Sequence, residues 1–465
     1  MKQSTPKNLR NRKRRIEYRL RDRDWCDQEN PMFGAANVHY EVADRTRGFS
    51  VGGIGAIHAL AGSTGLIDAI DRRLHLLKVH LPYHESDHVL NHAYNVLAGG
   101  RCLEDLELLR NDEVYLDALG AQRIPDPTTA GDFCRRFQWY HVEWLMEAIN
   151  EARLRVWGQQ PEAFFEEAVI EADGTLVETT GECKQGMDLS YQGVWGFHPL
   201  VVSLANTQEP LYVVNRSGNR PSHEGAAGRF DQAIELCRRA GFRRITLRGD
   251  TDFSQTEHLD RWDSQGVRFV FGIDAMANLV NRAENLSKGA WKRLRRPPKY
   301  RVQTQPRERP ENVKERIVRD REFKNIRLAS EDVASFDYSP TKCQKTYRVV
   351  VVRKNLSVER GEQVLFDDLR YFFYLTNDTQ SGAGEIVFEA NDRCNQEDLL
   401  AQLKGGVRAL HAPVDNLVSN WAYMVCRWRG RSKRGSRCCC PRGGAGRRSM
   451  RRRSGRCCEW SSARS

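Results

Sequence analysis

The chain has 465 residues, 40% of them hydrophobic, and 73 Lys+Arg stand against 61 Asp+Glu for a formal net charge of +12. That length supports about two to four structural units with real cores, and no apolar run approaches the roughly 20 residues of a membrane span. The first 24 residues hold ten Lys/Arg and no apolar stretch, which argues against a secretory signal and for a cytoplasmic protein without membrane contact.

The charge is unevenly placed. From Arg427 to Ser465 there are fourteen Lys/Arg and one acid, so the rest of the chain is close to neutral. Residues 1–48 read as a basic arm with an extended piece at 38–42. Residues 49–160 read as an all-helical domain. Ile54, His58, Leu60 and Ala61 recur at helical spacing, Gly62–Gly65 interrupts, and the pattern resumes over 66–77. Further helices are expected at 87–97, 102–110 and 129–150, the last opened by a threonine cap at Thr128 or Thr129. Such a domain could offer a helix to a DNA groove, although helical packing alone gives the same pattern.

Residues 161–275 alternate strands and helices. A strand over 165–172 runs into Asp173-Gly174-Thr175; 199–206 and 209–216 form a hairpin pair; 229–240 is an amphipathic helix closed by Gly241. A short strand at 244–247 ends in Arg248-Gly249-Asp250, a helix follows at 256–265, and 267–273 is another strand. The order β-β-β-α-β-α-β is that of a ribonuclease H-like mixed sheet. In that layout Asp173 ends the first strand and Asp250 follows the fourth, which lies beside it.

Residues 276–380 read as a β-rich insertion with strands at 346–352, 364–366 and 370–375. Residues 381–428 close the core with helices, one of them spanning 391–410. Along it Arg393, Glu397 and Lys404 fall within about 40° of one another, beside a face of Leu399, Leu403 and Val407. An Arg–Glu–Lys stripe on its own is more often a surface ion-pair array. Residues 429–465 are Arg, Gly, Ser and Cys without hydrophobic period, as GC-rich coding DNA gives when read out of frame, so a frameshift shortly after Met424 is expected. A functional Arg-rich nucleic-acid tail is the competing reading. The eight cysteines before it are scattered singly, as reduced thiols are, and its adjacent cysteines lack zinc-ligand spacing.

Two aspartates and a glutamate from separate segments are what a two-metal phosphoryl-transfer centre requires. Two hard Mg²⁺ ions, with Mn²⁺ an acceptable substitute, take carboxylate oxygens, and a pair about 4 Å apart clamps the attacking and leaving oxygens. Asp173, Asp250 and Glu397 are the expected ligands and catalytic groups, with Arg393 and Lys404 on phosphate. The basic run at 288–301 adds Lys292, Arg293, Arg295 and Arg296 as phosphate contacts. Asp252 competes with Asp250 as ligand. Glu171 and Glu178 read as strand-end charges, His198 and His223 as hydrogen-bonded loop histidines that could alternatively shuttle protons, and Trp195 and Trp291 as packing residues that could alternatively stack on bases.

These residues resemble a family. Glu-Ala-Asp173-Gly-Thr, Arg-Gly-Asp250-Thr-Asp-Phe-Ser and Arg393-x3-Glu397-x6-Lys404 are similar to the DDE transposases of bacterial insertion sequences. The nearest branch is the cut-and-paste one with a Tyr-x2-Arg-x3-Glu-x6-Lys signature and a strand-rich insertion before the glutamate. The resemblance spans about 51–427. It implies binding to double-stranded DNA at terminal inverted repeats, nicking, joining of the freed 3′ ends to target DNA, a homodimer on DNA, and association with the nucleoid. Ala390 stands at the signature's tyrosine position. The alternatives are an inactive remnant that only binds DNA, or a related metal-dependent nuclease.

Overall fold

The computed structural model describes residues 4–23, 25–34, 51–181, 183–296, 326–328, 330–356, 358–359, 362–363 and 368–428. The expected extended piece at 38–42, the strand at 364–366 and the tail at 429–465 lie outside them.

The first part is helical. It comprises α1 (Ser4–Leu20), α2 (Ile54–Ser63), α3 (Leu66–Arg73), α4 (Glu85–Leu97), the short α5 (Leu106–Leu109), α6 (Glu113–Leu119), α7 (Pro127–Arg135) and α8 (Trp139–Trp157). The basic arm is helix α1, seated by the buried Ile16. Lys13 and Arg19 pair with Glu107 and Asp117 at 2.6 and 2.9 Å, and Arg12 and Arg15 face Asp112 and Glu113, so part of its charge is met within the chain. The single helix expected at 129–150 is two, α7 and α8. Helix α7 is capped by Asp126, whose carboxylate accepts from the Thr129 amide at 2.9 Å with Pro127 in the first turn, and not by a threonine. Asp126→Ala is expected to destabilise the chain by about 1 kcal/mol, read from the midpoint of chemical unfolding.

Next come β1 (Glu167–Gly174), β2 (Val177–Glu178), β3 (Asp188–Leu189), β4 (Trp195–Phe197), β5 (Leu200–Leu204), β6 (Glu209–Val214), α9 (Ala226–Ala240), β7 (Arg244–Gly249), α10 (Leu259–Ser264) and β8 (Arg268–Ile273). Helix α9 ends at Gly241, whose φ of 96° suits glycine alone. The chain continues with α11 (Ala277–Glu284), β9 (Lys292–Arg293), β10 (Ile326–Arg327), β11 (Ser330–Tyr338), β12 (Tyr347–Asn355), β13 (Val358–Glu359), β14 (Glu362–Gln363) and β15 (Leu369–Thr376). It closes with α12 (Ala383–Asn391), α13 (Cys394–Ala401), a π-helical turn (Gln402–Gly406) and α14 (Leu417–Trp428).

Nine strands form one sheet in the order β6-β5-β1-β7-β8-β15-β12-β11-β9. The first five have the ribonuclease H-like order and sense: β1 is antiparallel to β5 and parallel to β7, and β7 is parallel to β8. The long strands of 276–380 join this same sheet, because β15 pairs antiparallel with β8 and so gives it a continuous far wing.

Alternation along β8 sorts the two faces. Phe269 and Phe271 turn to one side, where Phe230 of α9 and Trp262 of α10 pack at tilted angles against Phe271. Val270 turns to the other side and joins Val350 and Val352 beneath Ile386 and Val387 of α12. Helix α14 ties the helical part to the sheet: Tyr423, Met424, Val425 and Cys426 are buried, and the Trp421 indole N–H donates to the Val213 carbonyl of β6. Among the described residues no helix is long and apolar enough to cross a membrane.

Candidate active site

The strand registers build the site. Glu171 pairs with Arg248 across β1 and β7, and paired residues on neighbouring strands share a face. Two residues further along each strand, on that same face, stand Asp173 and Asp250. Asp250 lies just past β7 and caps the turn Thr251–Phe253, accepting from the Asp252 amide at 3.1 Å. Gly272 of β8 lets this turn come close, since a Cβ there would lie 2.9 Å from the Thr251 nitrogen. Both aspartates were legible in the sequence, and the sheet makes them neighbours.

The third segment arrives differently from expectation. In place of one helix over 391–410, α12 stops at Asn391, Arg393 caps α13, and Lys404 sits in the π turn. Lys404 therefore does not continue the helical stripe of Arg393 and Glu397, because the wide turn re-aims it. Leu399 and Leu403 are fully buried as expected, while Val407 is only half-buried.

The side chains nonetheless gather. The Arg393 guanidinium lies between the aspartates, 3.7 Å from Asp173 and 3.5 Å from Asp250, and donates to the Ala172 carbonyl at 3.4 Å. Asp250, Arg393 and Glu397 line one cleft of about 450 Å³, with Tyr371–Tyr374 of β15 on its wall. Ala390 lines it too, so the cleft has aromatic rings from another strand where the signature's tyrosine is absent. Asp173, Asp250, Asp252 and Lys404 line a second cleft of about 350 Å³, together with Tyr191 and His198. Asp250 borders both clefts, whereas Asp173 lines the second.

Burial raises the Asp173 carboxyl to about 6; the Arg393 charge opposes this, and Asp250 and Glu397 add to it. Asp250 is likewise raised, first by desolvation, with Arg393 again opposing. Desolvation lowers the Lys404 ammonium, which the Asp173 charge partly offsets. A negative cluster with one guanidinium inside it is under-neutralised. Its all-oxygen donor set suits a hard divalent cation. As they stand, no three acidic, histidine or cysteine side chains among the described residues are gathered tightly enough to hold an ion, and Arg393 occupies the space between the first two.

Four of the expected phosphate contacts lie elsewhere. Lys292 and Arg293 form β9 at the outer edge of the sheet, five strand spacings or roughly 24 Å from β7. Arg296 is held by both oxygens of Glu331 at 2.6 and 2.9 Å, Arg293 is 3.8 Å from Asp332, and Lys292 and Arg295 are exposed. The sheet's added wing separates this run from the aspartates. Trp291 is a packing residue under the Arg353 guanidinium at 4.2 Å, whereas Trp195 is 52% exposed; Tyr191, 87% exposed, lines the second cleft. His198 is a hydrogen-bonded loop histidine, its Nδ1–H donating to the Arg220 carbonyl at 2.7 Å, and burial lowers its pKa.

Sequence reasoning missed two supports. Gln396, 1% exposed, pins α13 to the sheet: it receives the Ser203 hydroxyl and donates to the Val201 carbonyl. Its spacing to Leu399 and Leu403 already placed it on the buried face of that helix. The other is Arg248, whose partner Glu171 was read as a strand-end charge but is fully buried.

Residues 43–427 match the family model described as transposase DDE domain group 1. No curated protein matches the chain. Among solved structures, the piggyBac transposase synaptic complex with hairpin DNA is similar at 9% identity, over 81% of this chain and 75% of that one, with a TM-score of 0.38.

Proposed function

The chain belongs to the DDE transposase family, group 1, and on that premise we propose that Asp173, Asp250 and Glu397 are its catalytic acids, acting on double-stranded DNA at the ends of its own element. The observation that carries this reading is the convergence of three separate segments on one guanidinium, with Glu397 one helical turn beyond it. The three carboxylates would hold two Mg²⁺ ions, which supply activation of a water or 3′-hydroxyl and relief of charge on the leaving oxygen. Arg393 stands between the two aspartates and, where those carboxylates hold cations, would bind a non-bridging phosphate oxygen. Lys404 reaches the same phosphate from the second cleft. The two clefts would give the two DNA segments of a strand-transfer reaction separate approaches that meet at Asp250. Lys292 and Arg295 would contact backbone phosphates of a duplex laid along the sheet's wing, outside the chemistry. The helical domain at 49–160 contributes to DNA binding, cutting of both ends calls for a homodimer, and the protein acts on nucleoid DNA in the cytoplasm.

The test is an assay of the full chain with DNA carrying its gene's flanking ends, in Mg²⁺ or Mn²⁺. Nicks with free 3′-hydroxyls that then join to a second duplex are expected. Cutting without joining would make it a nuclease, and binding without cutting would make it an inert end-binding remnant.

A further inference from the structure

We propose that the buried Glu171–Arg248 ion pair is the positioning device of the active site, fixing the third acidic segment against the two aspartates; this rests on the transposase reading above. Arg248 Nε donates to Glu171 Oε1 at 2.7 Å, with the two side chains 4% and 0% exposed. The pair is the rung of the β1–β7 ladder directly beneath Asp173 and Asp250, on their face of the sheet. Its reach is longer than the rung. Arg248 Nη1 donates to the Glu389 carbonyl at 2.8 Å in the last turn of α12, and lies 3.9 Å from Asp392. Arg268 of β8 grips the Glu389 carboxylate as well, so that turn is tied to the sheet through both its backbone and its side chain. Four residues on comes Arg393, and eight on, Glu397. One guanidinium thus joins β1, β7 and the start of the segment carrying the third acid.

Stability is a poor account of this pair. Glu171 Oε2 has no hydrogen-bond partner among the described groups. A buried ion pair with an unsatisfied oxygen is often no more stable than apolar residues of similar volume. What an apolar pair cannot do is hold the Glu389 carbonyl at a fixed point, whereas the planar fork of arginine satisfies two acceptors at once and a lysine ammonium on a flexible stem does not.

The experiment compares wild type with the double variant Glu171→Met/Arg248→Leu and the single variant Arg248→Lys. Each is read by thermal unfolding, DNA affinity, single-turnover cleavage of end DNA, and Mn²⁺ affinity without DNA by electron paramagnetic resonance. The double variant is expected to fold with a melting temperature within a few degrees of wild type and to bind DNA normally. Its cleavage rate should fall about 30-fold or more and its Mn²⁺ affinity about tenfold. Arg248→Lys should lose cleavage about tenfold with DNA affinity unchanged, and it decides the question if the double variant fails to fold. A folded double variant, or failing that Arg248→Lys, that cleaves within about threefold of wild type overturns the proposal. If wild type binds Mn²⁺ but does not cleave, the transposase reading fails, and the pair is judged by the Mn²⁺ affinities alone, where an unchanged value in Arg248→Lys overturns it. A wild type that binds no Mn²⁺ overturns both.

Discussion

Alanine at Asp173, Asp250 or Glu397 is each expected to slow end cleavage by about 10³-fold or more, roughly 4 kcal/mol of barrier, while leaving DNA affinity within about threefold. The size follows from the shared role: three carboxylates acting on one centre work as a unit, so the triple variant should be little worse than any single one. Affinity should hold or even rise, because each change removes a negative charge from the path of a polyanion. Glu397→Ala is the cleanest of the three, since Glu397 is exposed on α13 while Gln396 beside it holds the helix to the sheet. Asp250→Ala also removes the cap on the Thr251–Phe253 turn and should lower the melting temperature slightly. The measurement is single-turnover cleavage at saturating DNA beside a filter-binding titration. Cleavage within tenfold of wild type in Glu397→Ala would remove that residue from the centre, and Asp398 next to it would be the first replacement to try.

Much of this site could be read from residue order because strands encode neighbours simply. Glu-Ala-Asp173 and Arg-Gly-Asp250 each place two charged groups on one face by period-2 alternation, and the sheet order then sets the two faces side by side. The same pattern held the Glu171–Arg248 pair in plain view, but a charge at a strand end usually meets water, and nothing local tells that α12 will cover it. The third segment was misread in shape for a related reason. The hydrophobic face of Leu399 and Leu403 extends through 391–410 without announcing the break at Asp392 or the π turn at Gln402–Gly406, while the tie of Gln396 to the Val201 carbonyl of β5 depends on a strand distant in sequence. The place of the basic run at 288–301 was not legible because sequence gives charge but not distance: the wing of β15, β12 and β11 carries Lys292 and Arg293 away from the aspartates and supplies Glu331 and Asp332 to meet two of the cations. Asp126 displaced the expected threonine cap because Pro127, which suits the first helical turn, sets the start two or three residues earlier.

Asp173→Asn is expected to move stability and activity in opposite directions. In the folded chain without metal the Asp173 carboxyl is raised from 3.8 to about 6, chiefly by burial, so the native state binds this proton more tightly than the unfolded chain does. Between about pH 4 and 6 the folded state therefore carries more protons, and this group's contribution to stability falls as pH rises through that window. Above it the ionised side chain is a net burden. Asparagine keeps the shape and never ionises. At pH 7 in EDTA it should stabilise the chain by about 1–2 kcal/mol, discounted from the roughly 3 kcal/mol that the shift implies because the side chain is 23% exposed and screened by solvent, and the gain should vanish near pH 4. Added Mg²⁺ should reverse the order, since an ion that binds the native wild-type site stabilises it by mass action and finds one ligand fewer in the variant. The check is a pair of melting curves for wild type and Asp173→Asn at pH 4 and pH 7, with and without Mg²⁺. If wild type is the more stable at pH 7 in EDTA, the Arg393 guanidinium neutralises the aspartates better than burial penalises them. The site would then be electrostatically complete before any cation arrives, and divalent ions would have to compete with Arg393 for it.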